Sequence, residues 1–236
     1  MPRRHNLFDE TMLDGFEAEG MRSAQQARSR ELLVRLFNGG LALLQETDFE
    51  GLSIEALCER SESTVGAFYS RFENKDAFID ALQRLVVEVT RSGMLADYEG
   101  EVAPRDNLTH LLAWIAKGSV VWYRRYEGLI RASLRQANGE RKMWTPLREL
   151  GEHQISNALP RILAFLPPSA LDGAEARTRF AFQMLFGTLN NMVLINPGPF
   201  GIKDAEPPQM LASAMVQLIE RAPSVAHVGS KKSGDR

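Results

Sequence analysis

The stretch Ser53–Phe78 reads SIEALCERSESTVGAFYSRFENKDAF, and its reading decides the fold. Ser53 is an N-cap type, because its hydroxyl can accept a bond from an otherwise orphan backbone N–H. A short helix follows, with Ile54, Leu57 and Cys58 on one side. Arg60-Ser61-Glu62-Ser63 replaces that pattern with four polar residues, so the helix stops there. Thr64 then caps a second helix, which carries Val65, Phe68, Tyr69 and Phe72 with small Gly66, Ala67 and Ser70 between them. Two short helices joined by a tight turn fit a helix-turn-helix, a motif whose second helix enters the DNA major groove.

Composition bounds what surrounds this motif. The chain has 236 residues, enough for one large domain or a small one plus a larger one. Its 44% hydrophobic content supports a core. Cys58 is the single cysteine, which excludes an internal disulfide and fits a reducing, cytoplasmic setting. The start, MPRRHNLFDETML, lacks the apolar region of a secretory signal, and no run approaches the roughly twenty apolar residues of a membrane span. The net charge is −2, whereas nucleic-acid-binding domains are usually basic. DNA binding therefore requires local segregation of charge, with Arg28, Arg71 and Lys75 facing DNA and Glu46, Asp48 and Glu50 facing away.

Taken in order, residues 1–20 mix charge with scattered Phe8, Met12, Leu13 and Phe16 and are expected to form a flexible arm, with room for one helical turn and with a basic tip at Arg3-Arg4-His5. A helix is expected over Ala24–Glu46, where Leu33, Phe37, Leu41 and Leu44 recur at helical spacing. The pair Gly39-Gly40 weakens it locally and permits close packing. With the helix-turn-helix this makes a three-helix domain over residues 21–73. Asn74 caps a longer helix with a Phe78, Leu82, Leu85, Val89 stripe, expected to end at Gly93, where the stretch Gly93–Pro104 breaks the pattern, and to span both domains. Residues 74–222 read as wholly helical: about Arg105–Tyr126, Glu127–Ala137, a helix through Leu147 to Phe165 that Pro160 should kink, Asp172–Asn196 and Pro207–Arg221. The polar, Gly/Ser-rich tail 223–236 is expected to be disordered. The fold class is all-α, a three-helix helix-turn-helix domain followed by a larger helical domain.

Ala67-Phe68-Tyr69-Ser70-Arg71-Phe72, followed by Asn74-Lys75-Asp76-Ala77-Phe78, resembles the recognition helix and fourth-helix start of the tetracycline-repressor (TetR) family. The likeness runs back over about fifty residues, through Phe49-Glu50-Gly51-Leu52-Ser53 to the first helix. Two positions depart from the family pattern: Glu62 stands where Gly is usual in the turn, and Arg71 where His is frequent. The resemblance implies that Tyr69 and Lys75 hold DNA phosphates and that Thr64, Val65, Gly66 and Ser70 face the groove. Arg71, Ser53 and Arg28 are further phosphate candidates. Cys58 occupies a site where the family usually has Ala, so it reads as a buried small side chain. If the family's turn is kept, Glu62 must take positive φ.

The rest of the chain carries no G-x-S-x-G, P-loop or G-x-G-x-x-G, and His5, His110, His153 and His227 have no paired metal-ligand spacing. No enzyme, metal or cofactor is implied. Trp114, Trp122, Tyr123, Trp144, Phe182 and Phe186, with Met143 and Met184, read individually as core residues. Together they are expected to line an apolar cavity, with Gln183, Asn190 or His153 orienting a ligand; TetR-like proteins commonly have such a pocket here. The helix 172–196 is apolar nearly all round, so it must be buried on several sides. Leu185, Leu189 and Met192 on it, with Leu211, Met215 and Leu218 on the last helix, are expected to form a four-helix homodimer interface. The implied function is a ligand-responsive regulator of pseudo-palindromic operator DNA, a repressor released by a small, mainly apolar effector. The alternative is a helical ligand carrier or enzyme whose helix-turn-helix is merely structural.

Overall fold

The computed structural model describes residues 7–22, 27–136, 145–196 and 198–220. Among them the elements are α1 (Ala27–Glu46), α2 (Ile54–Arg60), α3 (Val65–Tyr69), α4 (Lys75–Glu99), α5 (Leu108–Arg125), α6 (Glu127–Gln136), α7 (Thr145–Phe165), α8 (Ala174–Leu194) and α9 (Pro207–Glu220). Two short 3-10 turns, Glu10–Leu13 and Pro168–Ala170, accompany them. The described residues contain no strand; Met21 and Phe72 form one isolated antiparallel bridge. The all-α class holds.

The caps that start the helices act as their side chains dictate. Ser53 Oγ accepts from Ala56 N–H at 3.1 Å, Thr64 Oγ1 from Ala67 N–H at 3.1 Å, Asn74 Oδ1 from Ala77 N–H at 2.8 Å and Asn107 Oδ1 from His110 N–H at 2.8 Å. Each satisfies one donor that a helix start leaves open. On α1, Leu33, Leu36, Phe37, Leu41 and Leu44 are buried at helical spacing. Gly39 and Gly40 lie at close approaches, as the sequence suggested. A Cβ on Gly39 would stand 2.3 Å from Ser61 Oγ, and one on Gly40 would stand 2.6 Å from the Phe78 ring.

The arm expected to be flexible is packed. Within residues 7–22, Phe8, Leu13 and Phe16 are all buried. Asn38 on α1 holds it in place: its Oδ1 accepts from Leu7 N–H (2.6 Å) and Phe8 N–H (3.1 Å), and its Nδ2 donates to Phe8 O (3.0 Å). Further along, Arg22 N–H donates to Arg71 O at 2.8 Å and Glu73 N–H to Gly20 O at 3.0 Å. Phe8 and Phe16, scattered among charges in the sequence, both meet Phe37 from outside. Residues 1–6 and the 221–236 tail lie outside the described residues.

α4 also differs from its expected length. It runs through Gly93 to Glu99, because Met94 and Tyr98 continue its inner stripe and Tyr98 packs edge-on against Trp114 at 5.5 Å. α4 packs on α7, α1 on α6, and α5 on α8 and α9. Pro160 sits within α7, which continues past it to Phe165.

The helix expected to be apolar all round, α8, has three distinct faces. Thr178, Phe182, Leu185 and Leu189 point into the chain's own core, Gln183, Phe186 and Asn190 point to a cavity, and Phe180 and Ile195 are exposed. Four of the six residues expected at a dimer interface are therefore internal: Leu185, Leu189, Leu211 and Met215 are buried within one chain, where α8 and α9 pack on each other and on α5. Met192 and Leu218 are half-buried at the edge. Apolar periodicity located the helices, but it does not say which apolar side meets solvent.

Because Phe8 fills a site beside Phe37 with 2% exposure, Phe8→Ala should destabilise the protein by about 3–5 kcal/mol. Urea denaturation followed by far-UV circular dichroism checks this; a loss below about 1 kcal/mol would mean the arm is not part of the core.

Candidate nucleic-acid interface and ligand cavity

The turn between α2 and α3 adopts the conformation that the family pattern demands, despite its glutamate. Glu62 has φ +50°. Ser63 N–H donates to Cys58 O at 2.9 Å and Glu62 N–H to Glu59 O at 3.2 Å, the paired bonds of a Schellman helix end. A left-handed non-glycine residue costs about 1–2 kcal/mol. The turn is kept because it aims α3: Phe68 and Phe72 are buried beneath it, while Thr64, Val65, Gly66, Tyr69 and Ser70 are exposed above it. Val65 at 39% and Tyr69 at 47% exposure are large apolar or aromatic groups left in solvent on a five-residue helix. A Cβ on Gly66 would meet nothing nearer than 4.0 Å, so the surface there is open.

The cations around α3 are not all free. Lys75 Nζ donates to Phe49 O at 3.1 Å and lies 4.2 Å from the centre of the Phe49 ring. Arg71 Nη2 donates to Ser29 Oγ at 2.7 Å. Both tie the α3–α4 corner to α1 and to the loop before α2, so each has a structural duty besides any phosphate contact. Arg28 and Ser53 are exposed. Glu46, expected to face away from DNA, is engaged by Arg60 in a two-pronged pair at 2.9 and 2.6 Å. Cys58 is buried, as expected of a small side chain.

A cavity of about 860 Å3 opens among α4, α5, α7 and α8, within the usual range for small-molecule sites. Trp114, Trp122, Tyr123, Gln183, Phe186 and Asn190 all line it; Phe182 does not, because it is sunk in the core on another face of α8, and Met184 is also outside the wall; Met143 and Trp144 lie outside the described residues. Its polar groups are fixed by internal bonds. Tyr123 Oη donates to Asn190 Oδ1 at 2.9 Å, and Trp122 Nε1 donates to Thr90 Oγ1 at 2.9 Å, whose own hydroxyl donates to Val86 O at 2.6 Å. Arg179 reaches Glu152 at 3.6 Å and Glu175 at 2.9 Å, joining α8 to α7 along the wall. Burial raises the pKa of Tyr98 and of Tyr123, so both phenols stay neutral through the physiological range. His153 is absent from the wall. Its ring lies near Arg91, and burial first, then that guanidinium, lower its pKa.

The sequence reading missed Tyr98, Tyr126 and Thr90 in the wall. The Met94–Tyr98 spacing of four was a usable signal for the first. Tyr126 had been taken only as a helix end, and no sequence signal singled out Thr90.

A helix-turn-helix head joined through one long helix to a helical domain with a ligand-sized cavity defines a class: helix-turn-helix proteins with a second, larger helical domain. Residues 36–82 match the family model for bacterial regulatory proteins of the tetR family. Among solved structures the chain is similar to a tetR-family transcriptional regulator from Streptomyces coelicolor, at 17% identity over 80% of each chain and a TM-score of 0.62. It is also similar to Salmonella enterica GusR, at 12% identity over 83% of this chain and 99% of that one, with a TM-score of 0.55. No curated protein matches the chain. The chain thus carries the tetR-family N-terminal domain, on an all-helical fold shared with a solved regulator of that family. No helix among the described residues is long and apolar enough to cross a membrane.

Replacing Glu62 by Gly removes the left-handed penalty without altering the turn's bonds. Glu62→Gly should raise stability by about 1 kcal/mol. Thermal unfolding reads this, and a destabilised variant would show that the Glu62 side chain holds the turn more strongly than its backbone strains it.

Proposed function

We propose that this protein is a transcriptional repressor that binds operator DNA as a homodimer in the cytoplasm and leaves it when a small, mainly apolar effector enters the cavity. The observation that carries the DNA half is the split of α3: an aromatic underside sunk in the core and a solvent face of Thr64, Val65, Gly66, Tyr69 and Ser70. Such a face suits major-groove readout by methyl contact and close approach rather than by bidentate hydrogen bonds. Tyr69 with Lys75, and Arg71, Ser53 and Arg28 around them, supply phosphate contacts that position the helix.

Three features support a link between the cavity and the head. α4 begins at the corner holding Lys75 and ends in the cavity wall at Tyr98. The α5–α6 corner contributes Arg125, Tyr126 and Ile130 to the wall and clamps α1: Gln45 Nε2 donates to Arg125 O at 2.8 Å, and a Cβ on Gly128 would stand 1.8 Å from Leu44 O. Buried Gln83 on α4 donates to Ser133 Oγ on α6 at 2.9 Å. A ligand that repacks the wall therefore bears on α1 and α4 together. It shifts the equilibrium only by its differential affinity for the two arrangements.

The dimer reading keeps α8 and α9 but changes the face. Phe180 (57% exposed), Ile195 (74%) and Met210 (52%), with half-buried Met184, Met192 and Leu218, form the outward side of these helices. An apolar face of this kind is what an isologous four-helix contact buries. A two-fold pair would present two α3 helices to successive major grooves about 34–36 Å apart, hence a pseudo-palindromic operator.

Two measurements test the proposal. Lys75→Ala should weaken binding to all DNA sequences and reduce the slope of log affinity against log salt by about one; unchanged affinity and slope would remove Lys75 from the interface. Phe180→Asp with Met184→Asp should give a monomer in analytical ultracentrifugation with helix content retained and operator binding lost. An unmodified protein that sediments as a monomer at micromolar concentration yet binds operator tightly would overturn the dimer.

A further inference from the structure

We infer that three mid-helix glycines in the cavity wall, Gly93 on α4, Gly118 on α5 and Gly187 on α8, hold open a berth for a rigid, planar multi-ring ligand whose faces lie against their bare backbone. The inference rests on the reading of this cavity as a small-molecule site and specifies which chemical class it takes.

Glycine inside a helix is destabilising relative to alanine, so each instance needs a reason. Elsewhere in this chain the reason is visible: Gly40 faces the Phe78 ring at 2.6 Å and Gly128 faces Leu44 O at 1.8 Å. At Gly93, Gly118 and Gly187 it is not. A Cβ at any of the three would meet nothing within 4 Å. None of the three has positive φ, so no backbone conformation demands glycine either. All three are exposed and line the same cavity, from three different helices, so the open space that a Cβ would enter is the cavity's own. The chain thus gives up helix stability three times around a space that its own atoms do not fill.

The neighbouring Gly151 on α7 indicates what such a position accommodates. A Cβ there would stand 3.2 Å from Cε2 of Phe186, so an aromatic ring already lies on that glycine's backbone. The same wall offers a polar group: Asn190 has committed its Oδ1 to Tyr123 and keeps its Nδ2 as a donor. A flexible acyl chain would thread past side chains and gain little from three widened positions on separate helices. A broad rigid ring system needs each of them, and a polar atom on its edge would meet Asn190. The aromatic groups of the wall, Trp114 and Trp122 among them, favour offset or edge-on ring contacts.

The test uses the full chain and two fluorescent probes, 2-aminoanthracene as the fused-ring ligand and cis-parinaric acid as the linear one. Each is titrated by energy transfer from tryptophan. The unmodified protein should bind the fused-ring probe more tightly than the linear acid. Gly118→Ala and Gly187→Ala, singly and together, should weaken the fused-ring probe at least tenfold per site and leave the linear acid within threefold. The same variants should unfold at the same temperature as the parent or roughly 2–4 °C higher, because alanine is the better helix former. That pairing of raised stability with lost binding is the signature expected. Unchanged affinity for the fused-ring probe, preference for the linear acid, or variants that unfold earlier than the parent would each overturn the assignment. Operator release is followed separately: a fused-ring probe that binds as expected but leaves DNA bound defeats the effector reading and not the berth, whereas release by another kind of molecule defeats the berth and not the effector reading.

Discussion

The DNA-binding head depends on one packing centre, the Phe37 side chain on α1. Phe8 and Phe16 of the arm meet it edge-on at 6.3 and 6.2 Å, Phe72 meets it edge-on at 5.8 Å, and Phe78 stacks on it at 5.8 Å. Phe68 closes the group through Phe72 and Phe78 at 5.4 and 5.8 Å. Five separate pieces of chain, the arm, α1, α3, the α3–α4 corner and α4, are therefore located by contact with one cluster. Edge-on pairs of this kind add about 0.5–1.5 kcal/mol each beyond area burial. Their geometric effect matters more here. α3 has only five residues, too few to hold a helix unaided, and its outward face is aimed by the two aromatic rings beneath it.

The same centre accounts for the small residues around it. Gly40 exists as glycine because the Phe78 ring occupies the space of its Cβ, and Gly39 because Ser61 does. The left-handed Glu62 follows from the same constraint. α2 and α3 must both touch α1 across a short connection, so the helix end has to reverse within one residue whatever its side chain. A turn imposed by packing on both sides tolerates a residue that its local preference disfavours.

Beyond the head, α4 and the α5–α6 corner belong to two environments at once. α4 buries Phe78, Ile79 and Leu82 at one end and supplies Val89, Thr90, Met94 and Tyr98 to the cavity wall at the other. The corner touches the backbone of α1 on one side and the cavity on the other. Contacts made by backbone, as at Gly128 against Leu44, leave no side chain to rotate out of the way, so displacement of either helix is felt by the other. The polar links Gln45–Arg125 and Gln83–Ser133 add direction to that contact, because each bond is lost if the helices slide.

The sequence by itself determined the helices, their caps and the recognition motif. These rest on local rules: hydroxyl and amide side chains at Ser53, Thr64 and Asn74 can satisfy only nearby backbone donors, and apolar residues at helical spacing must share a face. The positive φ of Glu62 was legible only through the family resemblance, which puts Gly at that place in the turn; the residue type itself argues against it. The aromatic wall of the cavity was partly legible, because large rings clustered in sequence on helices that pack together tend to meet. What only the tertiary structure decided is which of several apolar faces meets which neighbour. Leu185, Leu189, Leu211 and Met215 read as surface stripes and are internal, because α5 covers the sides of α8 and α9 on which they sit. The arm reads as polar and loose and is packed, because Phe8 and Phe16 find Phe37, which lies far along the chain. Tyr98 reads as a loop residue and becomes cavity wall, because Trp114 on another helix holds it. Each of these outcomes depends on a partner distant in sequence, and periodicity carries no information about distant partners.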